Sequence, residues 1–343
     1  MAQKNESQEY TFTQKVWITT SIVALIVALF WIVKVSFNVL LLLLAGALIA
    51  IYFRGLAGLL QRKLNLSPKL SLPLSIVGTL LLFTVFFWFA GSRIQQQVSE
   101  LRRTLPAATQ NFKQKLNNSE LGQKILERTS SEGMMKKSGS VLQSFFRSTF
   151  GVLGDIYVVL FLGIFFTAAP ATYIKGFQKL IPPNGKAKSA EVIKKLGDSL
   201  TKWLKGQLFA MFVVFILTAI GLVIIGVPMW LVLAVIAGLL NFIPNFGPLI
   251  AMIPAVLVGL MQSPLTALLV AGLYILVQVL ESNLITPQIQ KKLLDIPPAL
   301  IIIAQLFMGV LTGGWGLVLA TPLMVILIVL VHELYVKKQN YSR

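Results

Sequence analysis

A chain of 343 residues that is 56% hydrophobic and only 12% charged has too little polar surface to cover a soluble globule, and its apolar residues arrive in blocks that suit roughly 30 Å of hydrocarbon. Its 30 basic and 12 acidic residues leave a net charge of +18; in so apolar a chain that excess sets loop orientation and meets anionic lipid heads, and no nucleic-acid partner is expected. With no cysteine and a single histidine, His332, disulfides, thiolate metal sites and cysteine nucleophiles are excluded, and neither a cofactor nor a metal is expected.

The fold class is all-α: a polytopic helical membrane protein with six full spans, at about 16–33, 35–53, 72–91, 151–174, 206–226 and 264–286. The first run is too long for a signal-peptide core and lacks a small-residue cleavage site, so it is read as a retained span. Two further apolar blocks, 228–261 and 299–331, are interrupted by Gly and Pro. In 228–261 the arms of about 13 residues reach only about 20 Å, and 299–331 has a short first arm followed by one nearly long enough to span; both blocks are predicted to be broken hairpins.

Three regions follow. Residues 1–91 hold the N-terminal tail and first three spans. Residues 92–150 form an amphipathic extramembrane insertion in which Ile94, Val98, Leu101 and Leu105 share one helical face; it is either a lipid or subunit contact or a cap packed on itself. Residues 151–343 form the transport core, with a basic helix at 186–205 whose stripe Val192, Leu196, Leu200 and Trp203 is expected to lie along the cytoplasmic leaflet. With both termini cytoplasmic, the inner segments carry 19 of the 30 basic residues. The 92–150 insertion then falls outside.

The stretch LLNFIPNFGPLIAMIPA places helix breakers and bare amides inside an apolar block. In a membrane an unpaired backbone group costs several kcal/mol, so broken helix survives only when buried in protein or facing a wet cavity. Pro244 and Pro248 discourage helix in Ile243 and Gly247. Two half-helices are expected to meet there, with Asn241 and Asn245 either contacting solute or capping the broken ends. The later block repeats the scheme: Pro298, an apolar arm, the turn Gly313, Gly314 and Gly316, a second arm and Pro322. Pro228, Gly247 and Pro254 are the matching markers of the first, and paired interrupted segments point to a transporter built from repeats. Gly309 and Gly313, at GxxxG spacing, are expected to allow close helix packing.

Between the hairpins, Glu281 is the only carboxylate from Asp198 to Asp295. Tyr274, Gln278 and Glu281 fall at i, i+4 and i+7 and give their helix one inward polar stripe. Glu281 is either a proton or cation site or an interfacial residue paired with Lys291 or Lys292. Asn283 and Pro287 mark the exit from the helix. Asp155, near the start of its own span, is read as a cap or an interfacial ion pair in preference to a second ionisable participant.

These residues, GLLNFIPNFGPLIAMIPA, then QVLESNLITP, IPP and GGWGLVLATPL, resemble the autoinducer-2 exporter family of bacterial permeases over most of the chain. QIQKKLLDIPP departs from the family pattern by lacking a glycine after Pro287. The resemblance implies a transporter of the bacterial inner membrane, associated either with export of the quorum-sensing signal autoinducer-2 or with sodium/proton antiport, and a homo-oligomer, with a pentamer as one assembly. The family motif falls on Asn241, Pro244, Gly247, Pro248, Pro254, Gln278, Glu281, Asn283, Pro287, Pro298, Gly313, Gly316 and Pro322.

Other classes fare worse on the sequence. No GxxxxGK[ST] phosphate loop is present, so transport is expected to be passive or coupled to an ion gradient. HELYV begins an HExxH pattern, but Val336 stands where the second histidine belongs, so no zinc enzyme is expected. A non-transporting scaffold remains the alternative to a solute exporter or a monovalent cation/proton antiporter. It would not need polar broken helices inside the apolar blocks.

Overall fold

The computed structural model describes residues 12–86, 88, 91, 154–285 and 297–337. The 92–150 insertion, Pro287, Lys291 and Lys292 lie outside the described residues, and no strand occurs among those described.

The first helix, α1, runs unbroken from Phe12 to Leu64 over 53 residues. This corrects the expectation of two spans at 16–33 and 35–53. WIVKVSFN, where a turn would be needed, contains neither Pro nor Gly, and one lysine does not interrupt a helix. Arg62 and Lys63 sit in the last turn, where cations complement the helix dipole. Asn65 then takes a left-handed φ of 51°. The chain returns antiparallel as α2, Pro68–Phe86. Gln61 Nε2 donates to Ser71 Oγ at 2.7 Å, and the Tyr52 and Thr79 hydroxyls meet at 3.3 Å.

Gly154–Ala168 forms α3 and Pro170–Lys179 forms α4, bent by 91° from it. The span expected at 151–174 therefore stops at Ala168, because Pro170 cannot continue the preceding ladder and instead opens a new helix. Arg54 clamps the end of α3 onto α1, donating from Nε and Nη2 to the Thr167 carbonyl at 3.1 and 3.0 Å.

After a 3₁₀ turn at Pro183–Gly185, α5 runs from Lys186 to Ile225 as one 40-residue helix. The basic segment 186–205 is thus the first half of the rod whose second half is the 206–226 span, and not a separate helix along the leaflet. Its junction, KWLKGQLF, has no proline, and one interior glycine costs only about 1 kcal/mol. The expected stripe is real: Val192, Leu200 and Trp203 are buried and Leu196 half-buried.

Four helix segments then alternate in direction: α5, α6 (Trp230–Leu240), α7 (Phe246–Gln262) and α8 (Pro264–Leu280). Ser263 caps α8, accepting from the Thr266 amide at 3.0 Å. Gln262 Nε2 donates to the Gly226 carbonyl at 3.0 Å, joining the α5–α6 and α7–α8 turns at one end. The shared core of Val214, Leu222, Leu233, Ala237, Ala251, Ala255 and Val270 uses alanines to bring backbones close. A π turn, Glu281–Ile285, continues α8.

The last pair is α9 (Pro298–Thr312) and α10 (Gly314–Val331), followed by a π turn at His332–Val336. Gly313 joins them with φ 67° and ψ −138°, a conformation essentially reserved for glycine. The GxxxG expectation does not hold: a Cβ at Gly309 would make only ordinary contact with Leu317 at 3.7 Å, and one at Gly313 would meet nothing. Pro254 and Pro322 lie inside α7 and α10 and mark no turn. The far end of α10 is tied to α5 by Glu333, which is buried and pairs with Lys188, Lys195 and Lys337 at 3.3, 2.8 and 2.9 Å.

Candidate functional site

The first hairpin breaks at Asn241–Asn245, between α6 and α7. Pro248 does not extend the break: it sits in the first turn of α7, where its missing N–H would have had no intrahelical acceptor. Gly247 is helical as well, and its lack of a side chain is essential. A Cβ there would run into the Leu240 carbonyl, because the start of α7 folds directly over the end of α6.

Two glutamines brace this junction. Gln207 of α5 donates to the Asn241 carbonyl at 2.7 Å. Gln305 of α9, fully buried, donates to the Pro244 carbonyl at 2.8 Å and accepts from Asn245 Nδ2 at 3.4 Å. Neither was picked out by sequence. Gln207 sits where polar and apolar halves of α5 meet, and Gln305 is the one amide in LIIIAQLFMGV, which is the signal that could have exposed it.

Asn241 is only 2% exposed, and its Nδ2 donor has no partner. Asn245 is exposed and held at φ 67°, so it supplies the left-handed residue of the turn. Of the expected stripe on α8, Tyr274 is buried and donates to the Leu233 carbonyl at 3.4 Å. Gln278 and Glu281 are half-buried and joined at 3.2 Å, Nε2 to Oε2, while Gln278 Oε1 is buried without a partner. Asn283 is exposed and donates to the Val279 carbonyl at 2.8 Å, a local contact within the π turn.

Helices α7 and α8 are both 17 residues long and antiparallel about Ser263. Asn245 and Glu281 therefore reach the same end of the pair. Trp203 and Phe242 meet edge-on at 5.7 Å, so this is the end where α5 passes from its basic to its apolar half. The break thus lies at one end of the apolar span, not midway along it. Gln207 and Gln305 hold the loop, while Gln278 and Glu281 form a separate pair.

Asp155 accepts from the Trp315 indole N–H at 2.7 Å, tying α3 to α10. Among the described residues no group of three or more His, Cys, Asp or Glu could hold a metal.

The family described as AI-2E family transporter matches residues 20–336. The chain belongs to this family. YueF of Bacillus subtilis strain 168, which carries the name of a transport protein, is 34% identical over 42% of this chain and 39% of its own length. PerM of Escherichia coli K12, named as a permease, is 28% identical over 58% of each chain. MT0215 of Mycobacterium tuberculosis, also named as a transport protein, is 27% identical over 89% of this chain and 86% of its own. The matched stretch thus spans about two fifths to three fifths of YueF and PerM. Family membership and the apolar helices make this chain a multi-pass membrane protein of the AI-2E transporter family.

Proposed function

We propose that the chain is a secondary transporter whose solute passes the Asn241–Asn245 junction at the end shared with Gln278 and Glu281. The observation that carries this reading is the pair of unpartnered amide atoms, the Asn241 Nδ2 donor and the Gln278 Oε1 acceptor. Leaving a buried polar atom unpaired costs about 1–3 kcal/mol. One donor and one acceptor at the same end suit a hydroxyl-bearing small solute, and export of autoinducer-2 is the form of the reading that the family name supports.

Monovalent cation/proton antiport is the second reading, favoured by Glu281. It is the only carboxylate between Asp198 and Asp295, and it opens a π turn, a distortion often found at functional sites. The deciding assay uses proteoliposomes. Autoinducer-2 efflux and sodium-driven proton movement are measured for wild type, Asn241→Leu and Glu281→Gln. Solute transport predicts efflux at least tenfold slower in Asn241→Leu; antiport predicts loss of proton movement in Glu281→Gln. If both variants keep wild-type rates in both assays, the junction is not the pathway.

A further inference from the structure

A cavity of about 450 Å³ lies between α1, α2, α3, α5 and α10 and is closed at one end by Leu239 of α6 and Phe242 of the junction, while the junction's amide side chains do not line it. That volume falls within the roughly 300–1,000 Å³ of ordinary ligand sites. Its wall is almost wholly apolar, and the polar groups on it are engaged. The Tyr52 and Thr79 hydroxyls face each other, Thr79 also donates to the Ser75 carbonyl at 2.7 Å, and the Trp315 indole is bonded to Asp155. A polar solute would find no partner there.

The wall is open to the surroundings on one side. Leu80 of α2, Ile156 of α3 and Leu208 of α5 all line the cavity, and they are 38%, 40% and 36% exposed. Lining positions on α1 run from Ala45 to Phe53, about 12 Å of helical rise. This is most of the roughly 15 Å depth of one leaflet's hydrocarbon.

A cation marks the end of this slot. Arg54 follows directly after Tyr52 and Phe53 of the wall, is exposed, and spends two N–H groups on the Thr167 carbonyl. The other guanidinium N–H groups remain for an anion. Just beyond Thr167, α4 turns by 91°. Its exposed Tyr173, Ile174 and Phe177, with Leu180 just past its end, share one side, and Lys175 and Lys179 lie on the other. This is the pattern of a helix lying in the headgroup plane. The charged mouth and the apolar slot are therefore aligned as a headgroup and its chain would be.

We propose that this cavity is a phospholipid site, with one acyl chain in the slot between α1, α2, α3 and α5 and the phosphate on Arg54. The second chain stays in the bilayer on the open side. Bound there, the lipid bridges α1 and α3 where Arg54 already clamps them.

The test uses the full chain, purified in detergent and washed extensively, with retained phospholipid quantified by mass spectrometry after extraction. Wild type is expected to keep about one phospholipid per chain. Leu208→Trp, which fills the slot from its exposed side, is expected to lose at least fivefold; Leu80→Trp is the second variant if the first does not fold. Arg54→Gln leaves the slot and is expected to lower retention of added phosphatidylglycerol several-fold, with Arg54→Lys recovering part. Equal retention in wild type and the slot-filling variants overturns the proposal, as does wild type that washes free of lipid.

Discussion

At the scale of single residues, the junction depends on side chains that lie far from it in sequence. Gln305 is the clearest case, since it meets both the Pro244 carbonyl and the Asn245 amide. Gln305→Leu leaves both groups without that partner, and a loss of about 1–3 kcal/mol is expected, read as a lower melting temperature in detergent. Thr218→Val is the control: its buried hydroxyl makes no hydrogen bond, so its removal is expected to be neutral or slightly stabilising. Glycines give a second contrast. Gly247→Ala is expected to abolish folding or transport because its methyl overlaps the Leu240 carbonyl, whereas Gly309→Ala, with only an ordinary contact, is expected to express and melt as wild type. A reversed order in the two melting curves would refute that account. Asn241 and Asn245 were legible in sequence because amides stand out between prolines in an apolar run. Their braces were not, since a lone Gln in a hydrophobic arm reveals its partner only once α9 is folded against the loop.

At the scale of elements, sequence located the helices better than their ends. The breaks at Asn241–Asn245 and Gly313 were visible because Pro, Asn and Gly change what the backbone can do locally. The continuity of α1 and α5 was obscured because a change in solvent, from polar to apolar side chains, looks like a boundary in composition but imposes none on the backbone. The rod through α5 makes a measurable claim. With no native cysteine to remove, spin labels at Lys194 and Phe212, both exposed, are expected to lie about 27 Å apart along a straight helix. Residues 18 apart also return to the same face after five turns. A separate leaflet-parallel helix would turn near Lys205 and give a clearly shorter distance. The same continuity explains why Glu333 at the far end of α10 meets lysines from the basic half of α5.

At the scale of the whole molecule, the continuous α1 changes how the chain is threaded. Two antiparallel spans would return Thr13 and Asn65 to the same side of the bilayer. One helix of 53 residues cannot do so. Its apolar stretch from Val16 to Phe53 has about 55 Å of rise, nearly twice the hydrocarbon thickness. Part of α1 must therefore lie outside that layer, or tilt strongly, or be covered by protein. Trp17, Leu25 and Trp31 are each about two thirds exposed, at 68%, 67% and 66%. Such a surface outside lipid suits contact with a second copy of the chain, the form in which we propose the homo-oligomer. The threading itself is tested by Thr13→Cys and Asn65→Cys, each alone in the cysteine-free background, treated with a membrane-impermeant maleimide in sealed vesicles of known orientation. Opposite sidedness is expected. Labelling of both positions from the same side would mean that the chain turns within WIVKVSFN and that the rod does not persist in the bilayer.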